Sequence, residues 1–390
     1  MSWEQLPQAG GVRRRLLPAA VIVVLVIVAA LLVMRSDRAA TLAVEPVTPP
    51  VGSGAEAPSA VDPAAFRPVE LDALQTVVDE AGNGPLLPDA ADMTIVAADE
   101  VQLHVIDVAT GAVRSVRLPE GLAPVPQPRT LFVVGDSLII SDTDDVVRVD
   151  GPDLRVTQLA RDHRALRTFD RASIWLLDTE SAGIGGTAVR VDLDGTVLDE
   201  VRLPAVARPF AGTSDGLVVW TPSGINLVSG TLASPLATSG DVAAVNGDRL
   251  ARLLCAADLS CRIVIGTFQD PDQVRLPLPA TDLPGGYFGL PAGEFSPDGL
   301  WLALPLYRID SGRALDRTAI SIINTATGVE VARARGISTR VFDNSPMAWS
   351  PDSRWLVVSS GDALRAWSVQ QERFIALDVH VDAARDLVVR

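Results

Sequence analysis

The chain's whole supply of imidazole is three histidines, His104, His163 and His380, so their setting limits its acid–base and metal chemistry. His104 lies in the strand-like run Leu103-His-Val-Ile106, and the other two stand alone in loop-like sequence. None has the helical i, i+4 spacing that lets two imidazoles share a zinc ion. No G-x-S-x-G nucleophile elbow and no lid domain are read in the chain, so a Ser-His-Asp site is not expected. Two acidic clusters invite a calcium reading: Asp142-Thr-Asp-Asp145, and Asp192-Leu-Asp-Gly195 with Asp199 and Glu200. Both lack the third ligand before the glycine and the glutamate twelfth in the loop, and we read them as turns. A glycosidase would need two carboxylates facing each other across a pocket, and sequence alone pairs none. Gly183-Ile-Gly-Gly186 lacks the strand-to-helix setting of a phosphate loop. No catalytic residue, metal ligand or cofactor is assigned.

The two cysteines are more informative. Cys255 and Cys261 flank a five-residue turn between apolar runs, Leu253-Leu-Cys and Cys-Arg-Ile-Val-Ile265. In an oxidising compartment they would close a hairpin as a disulfide, adding about 2–3 kcal/mol through the short loop. A metal pair would want histidines nearby, and there are none.

The elements that hold these residues show a repeat. Phe295-Ser-Pro-Asp-Gly-Leu-Trp301 recurs as Trp349-Ser-Pro-Asp-Ser-Arg-Trp355, each copy followed by a strand-forming run. Proline presets φ for a tight turn, Ser and Asp side chains bond back to the backbone, and Gly299 tolerates positive φ. Ser353 replaces the glycine in the second copy, where side-chain bonding is expected to hold the turn instead. Asn324-Thr-Ala-Thr-Gly328 matches Asp107-Val-Ala-Thr-Gly111 as a second, independent repeat. The hydrophobic–SPD–tryptophan unit resembles a blade of the TolB-like or WD-repeat β-propellers. That resemblance implies an all-β propeller and makes Asp298 and Asp352 turn residues. It covers roughly 90–390, with its specific motifs in the last two units.

Seven units follow one another, near 91–119, 129–160, 166–204, 208–237, 240–278, 287–335 and 340–378. We expect seven four-stranded blades, with eight as the alternative, and the run Leu387-Val-Val389 pairing with the first blade to close the ring. Residues 68–90 are a lead-in, in which Leu71, Leu74, Val77 and Val78 stand near helical spacing and predict a short helix over Val69 to Glu80.

Leu16 to Met34 is uncharged for 19 residues, enough to cross a bilayer core as a helix. Arg13, Arg14 and Arg15 precede it, placing residues 1–15 in the cytoplasm and the remainder outside. We read a retained single-pass anchor at 16–34 in preference to a cleaved signal. A Pro- and Ala-rich linker at 35–67 would then lift the propeller, 91–390, off the membrane. The chain contains no lysine, and with its Ala, Val, Gly, Asp and Pro content this points to a GC-rich, actinobacterial genome. Beyond residue 38, 28 arginines stand against 46 acidic residues, about −18. Such a domain is poorly suited to nucleic acid, whose binding rests on phosphate neutralisation.

In propellers of this kind, ligands meet the loops that enter the innermost strands, around the central channel. Mapped here, these are Arg129, Asp170, Arg171, Arg208, Phe210, Tyr287, Phe288, Arg340, Asp343 and Asn344; the long loop Tyr307 to Arg317 is a further candidate. The resemblance thus implies a binding platform in the cell envelope, for a protein, peptide or glycan. The alternative is a glycan-active hydrolase or lyase using carboxylates in the central pocket, and a third possibility is an accessory subunit that stiffens a complex.

Overall fold

The computed structural model describes residues 63–90, 92–99, 101–118, 130–142, 145–170, 172–178, 186–204, 206–255, 261–277, 287–289, 293–308, 318–337, 347–360, 363–381, 384 and 386–390. The expected anchor at 16–34 and most of the linker lie outside them. Among the described residues, no helix is long and apolar enough to cross a membrane.

Strands group into seven antiparallel sheets, each a blade with four strands from the centre outward. Blades two to five are built in chain order, for example Thr130–Val134, Ser137–Ser141, Asp145–Asp150 and Arg155–Arg161 in blade two. Blade six splits its innermost strand into Tyr287–Gly289 and Glu294–Phe295, both paired with Trp301–Arg308. Blade seven runs from Met347–Trp349 to Arg373–His380.

Blade one closes the ring as expected. Its innermost strand is Asp386–Val389, which pairs with Thr94–Ala98 through Ile95↔Val389 and Ala98↔Asp386. Thr94 and Arg390 add reciprocal backbone hydrogen bonds of 2.8 and 3.0 Å. Closure joins the two ends of the sheet region and removes the edges a linear array would expose.

Apolar residues alternate within the strands and fill the space between neighbouring blades. Ile95, Ala97 and Ile106 meet Trp355, Val357 and Leu364 between blades one and seven. Leu166, Trp175 and Val201 meet Leu217 and Val219 between blades three and four. Between blades six and seven, Trp367 packs edge-on against both Trp301 and Trp349, with ring centroids 5.6 and 6.1 Å away. Such aromatic pairs gain beyond their buried area.

The lead-in departs from expectation. Val69–Leu71 and Thr76–Glu80 are strands, the first added to the outer edge of blade two beside Arg155–Arg161, the second to blade one beside Val113–Arg117. The helical spacing misleads because there is no apolar face to bury: Val69, Leu71, Val77 and Val78 are all exposed. Backbone pairing with two otherwise open edges, favoured by the β-branched residues, decides the conformation. Phe66 anchors the start of this strap, wholly buried, with its ring edge-on to His163 at 5.4 Å. Its carbonyl passes so close to Gly195, at φ 81°, that a Cβ there would sit 1.9 Å away.

Candidate functional site

The two SPD turns connect the innermost strand to the second strand in blades six and seven. In blade six, Ser296 Oγ donates to Asp298 Oδ1 at 2.5 Å and accepts from Trp301 N–H at 3.0 Å. Asp298 Oδ1 also accepts from Leu300 N–H at 3.0 Å. Blade seven repeats the set with Ser350, Asp352, Arg354 and Trp355 at 2.6, 3.1 and 2.9 Å. Both aspartates are thus turn-formers. Ser353 nonetheless takes the left-handed conformation, φ 62° against 70° at Gly299. Its hydroxyl accepts from Asp298 N–H at 3.0 Å, tying the two turns together.

Asp107 and Asn324 also form equivalent turns. Each carbonyl accepts from the glycine four residues on at 2.7 Å, and Gly111 and Gly328 sit at φ 72° and 73°. Asp192 shapes its turn by accepting from Asp194 and Thr196 N–H at 2.9 and 2.8 Å. Asp142 does the same with Asp145 N–H at 2.8 Å. Among the described residues, no group of three or more acidic, His or Cys side chains could hold a metal ion.

The string Gly212-Thr-Ser-Asp-Gly216 matches the letters of a nucleophile elbow. It occupies a tight strand-to-strand turn in blade four, where Ser214 has its carbonyl on Arg190 Nη1 at 2.7 Å. Ser214 is exposed, but with a strand and not a helix behind it the turn lacks the elbow's strand-to-helix setting, so the match that the sequence reading overlooks is in letters only. His104 is buried between Asp99, 3.1 Å from Nε2, and Ser115, 2.9 Å from Nδ1. Burial works against the Asp99 charge, but the bonds from His104, Val101 and Gln102 outweigh it and lower its pKa. This trio links the strands of blade one.

The innermost strands run in one direction, as the parallel bridge between Thr168 and Gly212 of blades three and four indicates. The channel therefore has an entry end, where these strands begin, and an exit end, where they finish. Arg208 and Phe210 lie at the entry end of blade four. Arg208 is exposed, its guanidinium 5.4 Å from the Trp220 ring centroid, and Phe210 packs into the core between blades four and five. Tyr287 and Phe288 fall on the entry half of blade six's inner strand, opposite Arg308 and Tyr307. Arg129, Arg171, Arg340, Asp343 and Asn344 lie outside the described residues, as do residues 309–317 of the long loop.

Asp170 is at the other end. The innermost strand of blade three is His163–Arg167, one strand earlier than the unit near 166–204 implied, so Asp170 belongs to the exit turn. It reproduces part of the SPD geometry: Thr168 Oγ1 donates to Asp170 Oδ1 at 2.8 Å and to the Ser173 carbonyl, while the Ser173 N–H donates to Asp170 Oδ1 at 3.2 Å and not to the hydroxyl. Ala172 N–H donates to Asp170 Oδ1 at 3.0 Å. Burial would raise the Asp170 pKa, but bonds from Ala172, Ser173 and Thr168 prevail and hold it below the usual carboxylate value. A hydroxyl residue followed by Asp at i+2, ahead of a strand, marks this turn in the sequence, but Thr213-Ser-Asp215 of blade four has the same letters and different bonds.

The described channel is hollow at its exit end, where a cavity of about 470 Å3 is lined by the last residues of inner strands from six blades. Sequence reasoning missed it. Arg167 of blade three reaches across the channel to Glu294 of blade six, Nη1 to Oε1 at 3.0 Å. Burial pushes the Glu294 carboxyl up, against the lowering pull of Arg167. The Arg167 guanidinium also lies 5.4 Å from the centroid of Phe169. Trp349 Nε1 donates to the Glu294 carbonyl at 3.1 Å, fixing that wall. Asn246 Nδ2 donates to the Ser296 carbonyl at 2.9 Å. Arg390 adds a second guanidinium, 3.4 Å from the Asp136 carbonyl oxygen. Burial lowers the Arg390 pKa; the Asp136 charge pulls it up and Arg114 pushes it down. The cavity size is that of a small-ligand pocket, with a few polar groups among aromatic walls.

No protein-family model matches the chain, and no curated protein does. Among solved structures it is similar to TolB from Acinetobacter baumannii, at 13% identity over 78% of this chain and 68% of that one, TM-score 0.42. It is also similar to apo AztD from Citrobacter koseri, at 11% identity over 76% and 97%, TM-score 0.44. The dihydro-heme d1 dehydrogenase NirN, in complex with DHE, matches at 12% identity over 86% and 83%, TM-score 0.45.

Proposed function

We propose that this chain is a single-pass, membrane-anchored protein of the bacterial envelope whose extracytoplasmic propeller is a binding platform for an envelope protein, peptide or glycan. The observation that carries the reading is the cavity, where a ring closed by its own final strand gathers charged and aromatic side chains from six blades. Fixed scaffolds of this kind bind without reorganising, which keeps the entropic cost of association low. The uncharged segment 16–34 behind Arg13–Arg15 supports the anchor and its orientation. Cys255 and Cys261 stand opposite each other in their ladder, which supports a disulfide formed in an oxidising compartment.

The test is crosslinking of the full chain in its own envelope, with two variant sets beside the parent. Arg208→Ala with Phe210→Ala alters the entry end, and Asn246→Ala with Arg167→Ala alters the exit end. One captured partner lost with a single set assigns the binding end. Equal capture by all three, or by none, overturns the platform reading. Glu294 supports the hydrolase alternative, being a buried carboxyl pushed up in a pocket, though its bond to Arg167 occupies it. Glycan turnover abolished by Glu294→Gln would establish that alternative.

A further inference from the structure

The Arg167–Glu294 pair is joined at one point only. Of the five donors on the guanidinium, a single Nη1 contact meets Glu294, and Nε is buried without an acceptor among the described residues. The Arg167 side chain is still 37% exposed, so its remaining edge is open to the cavity. Arg390 brings a second cation, whose hydrogen bond to the Asp136 carbonyl is long, at 3.4 Å. The cavity lining thus sets two guanidinium groups, Arg167 and Arg390, against Glu294 and Asp136, and Arg167 keeps donors that Glu294 does not take. Beside them lies the half-buried ring of Phe169, while Trp349 is packed into the core and offers the cavity only its margin. A guanidinium with an open edge, in a site of low polarity, is matched best by a planar anion that takes two parallel N–H bonds.

We propose that the exit-end cavity is a binding site for a carboxylate carried on an aromatic group. The carboxylate takes the place of Glu294 on Arg167 and extends onto its open edge, and the ring lies against Phe169. Glu294 is then an internal competitor, a tethered carboxylate that holds Arg167 in place while the site is empty. A single Nη1 bond holds Glu294 there, so an incoming carboxylate that takes two bonds displaces it. The shared chemistry fits a free aryl-alkanoic acid or the C-terminal carboxylate of a peptide ending in an aromatic residue. The proposal rests on the platform reading in assigning binding to the channel, and adds the ligand class.

Isothermal titration calorimetry on the full chain tests it, with 3-phenylpropionate and the peptide Ala-Ala-Ala-Phe, each as free acid and as carboxamide. The expected result is binding of at least one acid, with its amide weaker by about tenfold or more. Glu294→Gln, which removes the competitor, tightens the acid several-fold and leaves the amide unchanged. Arg167→Gln loses the acid's advantage, with melting temperature checked alongside. The acid that binds more tightly identifies the source. Equal affinity for acid and amide overturns the proposal, as does unchanged or weaker acid binding in Glu294→Gln, or no binding to either protein. These outcomes need only the parent and Glu294→Gln, so a misfolded Arg167→Gln does not blunt the test. If crosslinked capture persists while no carboxylate binds, only this inference falls; if the acids bind while capture fails, only the platform reading does.

Discussion

The exit turn of blade three and those of blades six and seven share a hydroxyl–aspartate bond, all set their middle residue on the cavity wall, and differ in what that residue is. All three place a hydroxyl two residues before an aspartate, which gathers the next turn's N–H groups. Pro297 and Pro351 stand between them in blades six and seven; Phe169 stands there in blade three. Those prolines stiffen a turn. Phe169 also gives up its ring to the channel, under the guanidinium of Arg167. The aspartate in each case is scaffolding, and chemistry enters where the repeat departs from its own pattern.

Sharpest for this comparison are the tryptophans that follow the turns. Trp175 and Trp355 are both buried, Trp175 completely, with its Nε1 on the Thr213 carbonyl at 3.3 Å. Replacing either with alanine is expected to cost about 3–5 kcal/mol in denaturant unfolding. A marginal loss at Trp175 alone would separate blade three from the repeat.

Next come the aspartates. Asp170→Asn, Asp298→Asn and Asp352→Asn are each expected to cost about 1–3 kcal/mol at neutral pH, since each weakens several bonds to one charged acceptor. Asp170 carries a further signature. Its folded pKa lies below its ordinary value of 3.8, so the stability it contributes is present above that value and fades as pH falls through the folded pKa. The gap between parent and Asp170→Asn should therefore be full at pH 7 and shrink toward pH 3, read from denaturation midpoints. A gap that persists unchanged into acid would break the assignment of Asp170 as a charged turn-former.

The smallest contrast separates Gly299 from Ser353. Gly299→Ala puts a Cβ at positive φ and 2.9 Å from the Arg249 guanidinium, which donates to the Gly299 carbonyl at 2.7 Å. A loss of about 1–2 kcal/mol is expected. Ser353→Gly relieves backbone strain but gives up the bond to Asp298 N–H, so it should change the unfolding free energy by no more than about 0.5–1 kcal/mol. Equal losses at the two sites would mean that the left-handed conformation costs the same in both turns.

Blades six and seven were legible because proline, glycine and tryptophan are conspicuous and punctuate the chain at fixed offsets. Blade three's turn makes similar bonds with Thr168, Asp170 and Ser173, and no proline or glycine marks it, so sequence alone groups its aspartate with the channel-face binding residues. The ring's closure by Leu387-Val-Val389 was also legible, as an apolar run with no other strand to pair. The lead-in was misread because helical spacing assumes an apolar face to bury, while Val69–Leu71 and Thr76–Glu80 needed only an open sheet edge.

The sequence by itself determined the blade: turns made by side chains within about six residues of each other, and strands whose alternation fills the space between sheets. These are local choices, decided by φ preferences and short-range hydrogen bonds. Only the closed ring decided which residues meet across its axis. Arg167 and Glu294 are 127 positions apart, and neither stands out in its own strand. Their contact depends on the stacking of several blade interfaces, each fixed by packing that no local pattern encodes.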